Sequence, residues 1–312
     1  MPLPAARMVV MTALAAAAVQ PAADPARLEV AERITRLTRA SEWTRVQTIP
    51  IRFRTYHPQG MVKIGAHLFV SSVEVSVPTK RLPSPVDGRD RDAGEGVGHL
   101  FQLDLAGNLI ADLRLGEGTI YHPGGLDYDG RHIWVAVAEY RPNSRSIVYR
   151  IDPMTMTALE IFRFDDHLGA IVHDTDNGTL HAVSWGARAF YRWPLGANAR
   201  ITGTEALRTP NHSHYVDYQD CKYAGRHRML CTGVTEIRQS AGSPPFRLGG
   251  IELIDLGDHR PLHQVPLLLW SRGLDMTHNP VWLEPTADGL RGYFMPEDDQ
   301  SMLYIFDVKT PR

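Results

Sequence analysis

The chain has 312 residues, 43% hydrophobic and 22% charged, with a formal net charge of −2, a globular composition that excludes an intrinsically disordered chain. The near-balanced charge excludes the dense basic surface that nucleic acid or an anionic membrane attracts, so neither is expected as a partner. The 26 glycines and 22 prolines are spread along the chain, as many short strands joined by turns require.

Residues 1–23 read as an export signal, with Arg7 ahead of an alanine-rich apolar run over 8–19 and the small residues Ala22 and Ala23 behind it. The run is too short to span a bilayer as a mature helix. The expected location is therefore periplasmic or secreted, with no membrane insertion after cleavage. Asp24 as N-cap and Pro25 at the first helical position, followed by Leu28, Ala31, Ile34 and Leu37, predict a short amphipathic surface helix within residues 24–42.

From Trp43 the apolar pattern alternates as strands do, and residues 43–312 are expected to form one domain. A unit of variable length, about 45 to 65 residues, recurs along it. Its five starts are His57-Pro-Gln-Gly-Met61, His122-Pro-Gly-Gly-Leu126, His167-Leu-Gly-Ala-Ile171, His212-Ser-His-Tyr-Val216 and His278-Asn-Pro-Val-Trp282. Second strands are expected at 67–75, 132–140, 179–185, 228–236 and 292–297, and third strands at 99–105, 146–151, 189–193, 250–256 and 302–308. Fourth strands are expected at 109–115, 158–164, 201–207 and 262–270. The fifth unit runs out of chain, and the strand at 45–53 supplies what it lacks. The pattern predicts an all-β, five-bladed β-propeller closed by the N-terminal strand and preceded by a signal peptide and a short helix, expected as a monomer.

Cys221 and Cys231 are the two cysteines, ten residues apart around Ala224-Gly225-Arg226. In an exported chain they are expected to be bridged, the alternative being two buried thiols in neighbouring strands.

The first strand of a propeller blade lines the channel, so the five repeat histidines are expected to form one ring. The second strands end in Glu74, Glu139, Glu236 and Glu297, placed as carboxylates that orient metal-bound imidazoles are placed. His57, His122, His167, His212 and His278 are thus candidate ligands for a divalent transition metal, iron, manganese or zinc, with an open position. The alternative is a structural or purely acid–base ring inherited by duplication. His214 or an unligated ring histidine is the candidate base. Arg141 and Arg238, in loops expected on the same face, match a substrate carboxylate, and the insertion at 78–98 is long enough to be a binding loop. His67, His132, His181 and His227 read as surface or edge residues, and His173-Asp174 as a turn. No Gly-rich phosphate loop, Gly-x-Ser-x-Gly elbow or Cys-x-x-Cys pair occurs, which disfavours nucleotide and covalent serine chemistry.

On its His-Pro-x-Gly unit starts the chain resembles an uncharacterised bacterial and fungal family of secreted propellers, over residues 43–312. The ring with Glu74, Glu139 and Glu297 is similar in kind to the carotenoid-cleaving oxygenases, whose iron sits on blade histidines backed by glutamates. Gln59 is placed as the glutamine beside the manganese site of oligogalacturonate lyases, and Gln59-Gly60 resembles the Gln-Gly pair of glutaminyl cyclotransferases. These resemblances imply an exported metal-dependent enzyme acting on a small or carbohydrate-like carboxylated substrate, by lyase-type chemistry. The alternatives are a non-haem iron oxygenase and a non-catalytic binding propeller with structural histidines.

Overall fold

The computed structural model describes residues 25–196, 200–201, 206–240 and 242–310. The expected export signal lies outside them. Among the described residues no helix is long and apolar enough to cross a membrane.

Strand pairing resolves into five four-stranded antiparallel units. The first consists of His57–Ile64, His67–Val77, Glu95–Asp104 and Leu109–Leu115; the second of Ile120–Tyr128, Ile133–Glu139, Ser146–Asp152 and Thr157–Phe164. The third has Leu168–Asp174, Thr179–Ser184, Ala189–Pro194 and Leu207–Pro210, and touches the second through one parallel bridge, Ala170 to Gly125. The fourth runs Asp217–Tyr223, Arg228–Ile237, Phe246–Asp255 and Pro261–Leu267. The last is made from both ends of the chain: Val281–Pro285, Gly289–Phe294 and Met302–Lys309, with Trp43–Pro50 on its outer edge, Trp43 opposite Val308 and Pro50 opposite Met302. The fold is an all-β propeller whose ring is closed by pairing the N-terminal strand with the C-terminal one, which leaves no unpaired edge at the join.

The core explains why these strands read as apolar on both faces. Alternate side chains of one strand point into opposite neighbours: Leu68 and Val70 pack with Tyr293 and Ile305 of the last unit, while Phe69 packs with Ile133 and Val135 of the second. Similar clusters fill the other junctions between units. One expectation shifts. The outer strand of the third unit is Leu207–Pro210 rather than 201–207, because its partners on Ala189–Pro194 are Leu207 to Pro210; residues 202–205 lie outside the described set. The helix, Pro25–Ile34, packs one face on the ring, with Val30, Ala31, Ile34 and the following Leu37 buried in the cluster shared by the fourth and fifth units, while Pro25 and Glu32 are exposed. Arg33 donates to the carbonyls of Thr286 and Gly289, fixing the helix to the turn of the last unit.

Cys221 and Cys231 are disulfide-bonded, opposite one another on the first two strands of the fourth unit. A disulfide fits an oxidising, extracellular compartment.

The channel is crossed by two buried carboxylates. Asp220, from the fourth unit, accepts the N–H of Met61 in the first unit (3.0 Å) and of Leu126 in the second (3.1 Å), and pairs with Lys222. Asp127, from the second unit, accepts the N–H of His173 in the third (3.0 Å) and of Tyr223 in the fourth (3.2 Å), and pairs with Arg27 of the helix at 3.3 Å. Both side chains are essentially sealed from water. Glycine is required where the inner strands approach: a Cβ on Gly60 would stand 2.5 Å from the nitrogen of Leu126, and one on Gly125 would stand 2.8 Å from Oδ1 of Asp220. Burial pushes the Asp220 carboxyl up to about 6, against the pull of Lys222 and the two N–H donors. Replacing it with asparagine turns an amide N–H₂ towards a backbone N–H and strands Lys222. We predict that Asp220→Asn lowers unfolding stability by about 3 kcal/mol in urea titration at pH 7, whereas an unchanged midpoint would show that the channel contacts are dispensable.

Candidate functional site

The starts of the innermost strands converge at one end of the channel, and a shared backbone irregularity sets what faces it. Each of the first four units slips register just inside its first strand, at Pro58/Gly60, Pro123/Leu126, Leu168/Ala170 and Tyr218/Asp220. Such bulges re-aim the side chains beside them. Immediately before the start of each bulge stand His57, His122, His167 and, in the fourth unit, Asp217. His278 arrives from the loop before Val281–Pro285. These five residues, with Gln59, Arg91, Tyr140, Trp185 and others, line a cavity of about 360 Å³.

His122 stands between His57 and His167. It is buried, and neither ring nitrogen has a hydrogen-bond partner. Its ring stacks on Tyr140 with centres 4.1 Å apart and stands 5.8 Å from His167 and 6.4 Å from His57. Burial holds its pKa well below the ordinary value, helped by the two neighbouring imidazoles. His167 is likewise lowered, to about 4, by burial; its Nδ1 meets the Glu139 carbonyl at 2.9 Å, which leaves Nε2 as the second ring nitrogen. His57 lies between Asp298, 2.8 Å from its Nδ1, and Gln59, 2.7 Å from its Nε2. His278 is half-buried, its pKa lowered by burial, and its Nδ1 has no partner.

The insertion at 78–98 brings the cation. It carries a hairpin, Arg81–Val86 with Arg89–Arg91, held against the second unit by Arg89 to the Asn143 carbonyl (3.1 Å), Asn143 to the Gly88 carbonyl (2.6 Å) and Tyr121 to the Ala93 carbonyl (2.7 Å). Arg91 pairs with Asp90 and lies 5.1 Å over the Trp185 ring, where the face of the indole attracts a guanidinium.

Several expected site residues stand elsewhere. His212 and His214 are exposed and line a separate outer cleft with Tyr215 and Asp258, because the innermost strand of the fourth unit starts at Asp217 rather than at His212. His214 reaches the mouth only through Arg188, which contacts its Nδ1 at 2.6 Å and pairs with Asp217 at 2.7 Å. The glutamates do not back the imidazoles. Glu139 is sealed from water, and although burial opposes its charge, bonds from Arg145, Thr119 and Arg141 hold its pKa below the ordinary value. Glu236 pairs with Arg238 and Arg247, Glu297 binds Tyr304 and the N–H of Met302, and Glu74 lies 3.7 Å from His99. Arg141 and Arg238 are therefore committed to glutamates. Gln59 does line the cavity.

Asp217, Arg91, Tyr140 and Trp185 were not anticipated. Asp217 was readable, since Gln219 follows it at the spacing by which Gln59 follows His57. The others depend on where an insertion and two strand ends come to rest.

The imidazoles of the mouth do not gather into a single coordinating set. Among the described residues, the one group of three or more His, Cys, Asp or Glu ligand atoms within 4.8 Å of one another is Asp174, His181 and His227. It stands at the other end of the channel, at the close of the first strand in the third unit and the strand starts that follow it. This His/Asp cluster has the donor types of a metal site. His181 is fully buried rather than an edge residue.

A propeller with an imidazole-lined polar cavity at its channel mouth is the class these features define. The chain belongs to DUF6454, a family of unknown function, whose family model matches residues 15–311. No curated protein matches it. Among solved structures it is similar to hydrazine synthase of Kuenenia stuttgartiensis, at 12% identity and TM-score 0.39, over 79% of this chain and 57% of that one. It is also similar to a luciferin-regenerating enzyme, at 12% identity and TM-score 0.46, over 87% and 98% of the two chains, and to the WD40 domain of Toxoplasma gondii coronin, at 10% identity and TM-score 0.37, over 88% of each. The chain thus spans little more than half of the hydrazine synthase chain. At these scores the likeness carries no argument about activity.

The depressed imidazoles make stability depend on pH. A histidine whose folded pKa lies below its unfolded value of 6.5 contributes stability that is present above pH 6.5 and lost as pH falls towards the folded value. For buried His167, at about 4, that is ~3 kcal/mol between pH 6.5 and 4. Asp220, raised to about 6, acts with the opposite sign, its contribution being lost as pH rises through that value. We predict that the urea midpoint of the wild type falls from pH 6.5 to 4.5 by more than that of His167→Gln. Parallel curves would mean that His167 titrates normally in the folded protein.

Proposed function

We propose that this exported protein, periplasmic or secreted, binds a small hydroxylated carboxylate in the mouth cavity and moves a proton on it through His122 and His167. The reading is carried by one observation, that His122 presents two unpartnered nitrogens beside a polar cavity. A buried polar group without a partner is costly, and a molecule held in the cavity relieves that cost. Burial keeps both imidazoles neutral at pH 7, which leaves each a lone pair for a substrate proton while making it a weaker base than a free imidazole. Arg91, which lines the cavity while paired with Asp90, is the cation a substrate carboxylate would share with that aspartate, and Tyr140 with Trp185 offers the flat apolar surface on which a sugar-like ring rests. Proton abstraction beside the carboxylate, with loss of a leaving group one carbon further, makes this lyase-type chemistry.

A second reading, a divalent transition metal at the mouth, rests on the pair His122 and His167, whose ring centres stand 5.8 Å apart, with the remaining positions filled from outside the protein because no third side chain among the described residues joins them. Two imidazoles bound to one ion at about 2.1 Å put their ring centres roughly 4.5–6.5 Å apart. The metal would then polarise the carboxylate in place of Arg91.

A thermal-shift panel of uronic acids and C3–C6 hydroxycarboxylates decides between these readings. We expect at least one compound to raise the unfolding temperature, with affinity reduced about 10-fold or more in Arg91→Ala and in His122→Gln. Binding indifferent to both changes would place the ligand elsewhere and refute the site. Ligand binding that requires a copurifying iron, manganese or zinc ion, itself lost in His122→Gln, would establish the second reading instead.

A further inference from the structure

The Asp174, His181 and His227 cluster is independent of the mouth and joins two units. Asp174 closes the first strand of the third unit, His181 lies on the second strand of that unit, and His227 sits in the turn of the fourth. Asp174 and His181 are fully buried and His227 is half-buried. One carboxylate oxygen of Asp174 accepts the N–H groups of Asp176 (3.0 Å) and Asn177 (3.2 Å), which fixes the carboxylate. The other meets Nδ1 of His227 and the Asn177 amide.

The independent observation is a set of orphaned nitrogens around this carboxylate. His181 spends Nε2 on the Thr179 hydroxyl at 2.9 Å and leaves Nδ1 buried without a partner. His259, 7% exposed, has no partner on either nitrogen. Its ring stands 5.8 Å from that of His181, and His227 stands 6.0 Å from His181 on another side. Two imidazoles thus meet one buried carboxylate, with His259 behind His181 and stacked on Phe190 at 4.4 Å. Burial lowers His181 to about 3 and His259 to about 4, so both are neutral, as metal ligands must be. Arg192 is the cation that faces His181 and His259, and Asp255 and Asp258 flank His259 on the acidic side.

We infer that Asp174, His181 and His227 bind a divalent transition ion of the zinc type that ties the third unit to the fourth at the end of the channel away from the mouth. Two imidazoles and a carboxylate are a common zinc set, with a fourth position left for water or for His259. Ligand atoms around one ion at about 2.1 Å stand roughly 3.4 Å apart. The present spread of up to 4.8 Å therefore closes by about an ångström or more, within reach of a half-buried turn residue such as His227. The ion satisfies the orphaned nitrogen and bridges residues 53 positions apart in sequence.

The test is equilibrium dialysis of zinc against the full mature chain, produced without a metal-binding tag and first treated with chelator. We expect one zinc per chain with micromolar affinity or better, a higher unfolding temperature when it is bound, and a loss of affinity above about 100-fold in Asp174→Asn, beyond what an outer-sphere change brings. Asp174 also fixes a turn, so His227→Asn carries the test where Asp174→Asn fails to fold. His227 has a φ of 59°, and asparagine tolerates that conformation. His122→Gln is expected to bind zinc unchanged. No zinc uptake by the wild type, uptake indifferent to His227→Asn, or uptake lost only in His122→Gln would overturn the inference, the last by placing the ion at the mouth.

Discussion

The structure turns on two carboxylates buried in the channel. A propeller buries apolar side chains between its units, but its inner strands also carry backbone N–H groups that face the axis and need acceptors. Asp220 and Asp127 meet that need across unit boundaries, the first joining the fourth unit to the first and second, the other joining the second to the third and fourth. Their charge is balanced from two directions, by Lys222 on the same strand as Asp220 and by Arg27 on the N-terminal helix. The helix is therefore part of the ring's electrostatics as well as of its core.

The mouth follows from that arrangement. With the inner strands drawn to the axis, the bulges near their starts fall at one level and present His57, His122, His167 and Asp217 to a common cavity. Close packing leaves both His122 and His167 buried, and burial keeps an imidazole neutral. Neutral imidazoles at the mouth are thus a consequence of how tightly the ring closes. The same burial acts on His181 and His259 at the far end, where the neighbours are Arg192, other imidazoles and carboxylates.

Much of the fold was legible because it is written in periodicity. The unit starts, the orphan strand at the front and the cysteine pair each depend on local pattern, and the pairing of Trp43 with Val308 follows from counting strands. The site was less legible. His212 resembles a unit start, but the bulge places Asp217 at that position, and only the Gln59 and Gln219 correspondence in sequence reports it. The glutamates at the strand ends are real, yet loop arginines two to eleven residues away in sequence claim two of them. Short-range partners of that kind are invisible to a repeat alignment. Likewise His181 was dismissed on alternation alone, whereas its burial depends on His227 and His259 arriving from another unit.

The central claim is that ring closure holds the mouth imidazoles neutral and ready to accept a proton. It is tested most directly by histidine nitrogen chemical shifts followed from pH 8 to pH 4 on the ¹⁵N-labelled protein. The account predicts that the resonance of His167, assigned by single substitution, stays that of neutral imidazole down to about pH 5, and that His122 stays neutral well below the ordinary imidazole range. Titration of both near pH 6.5 would contradict it.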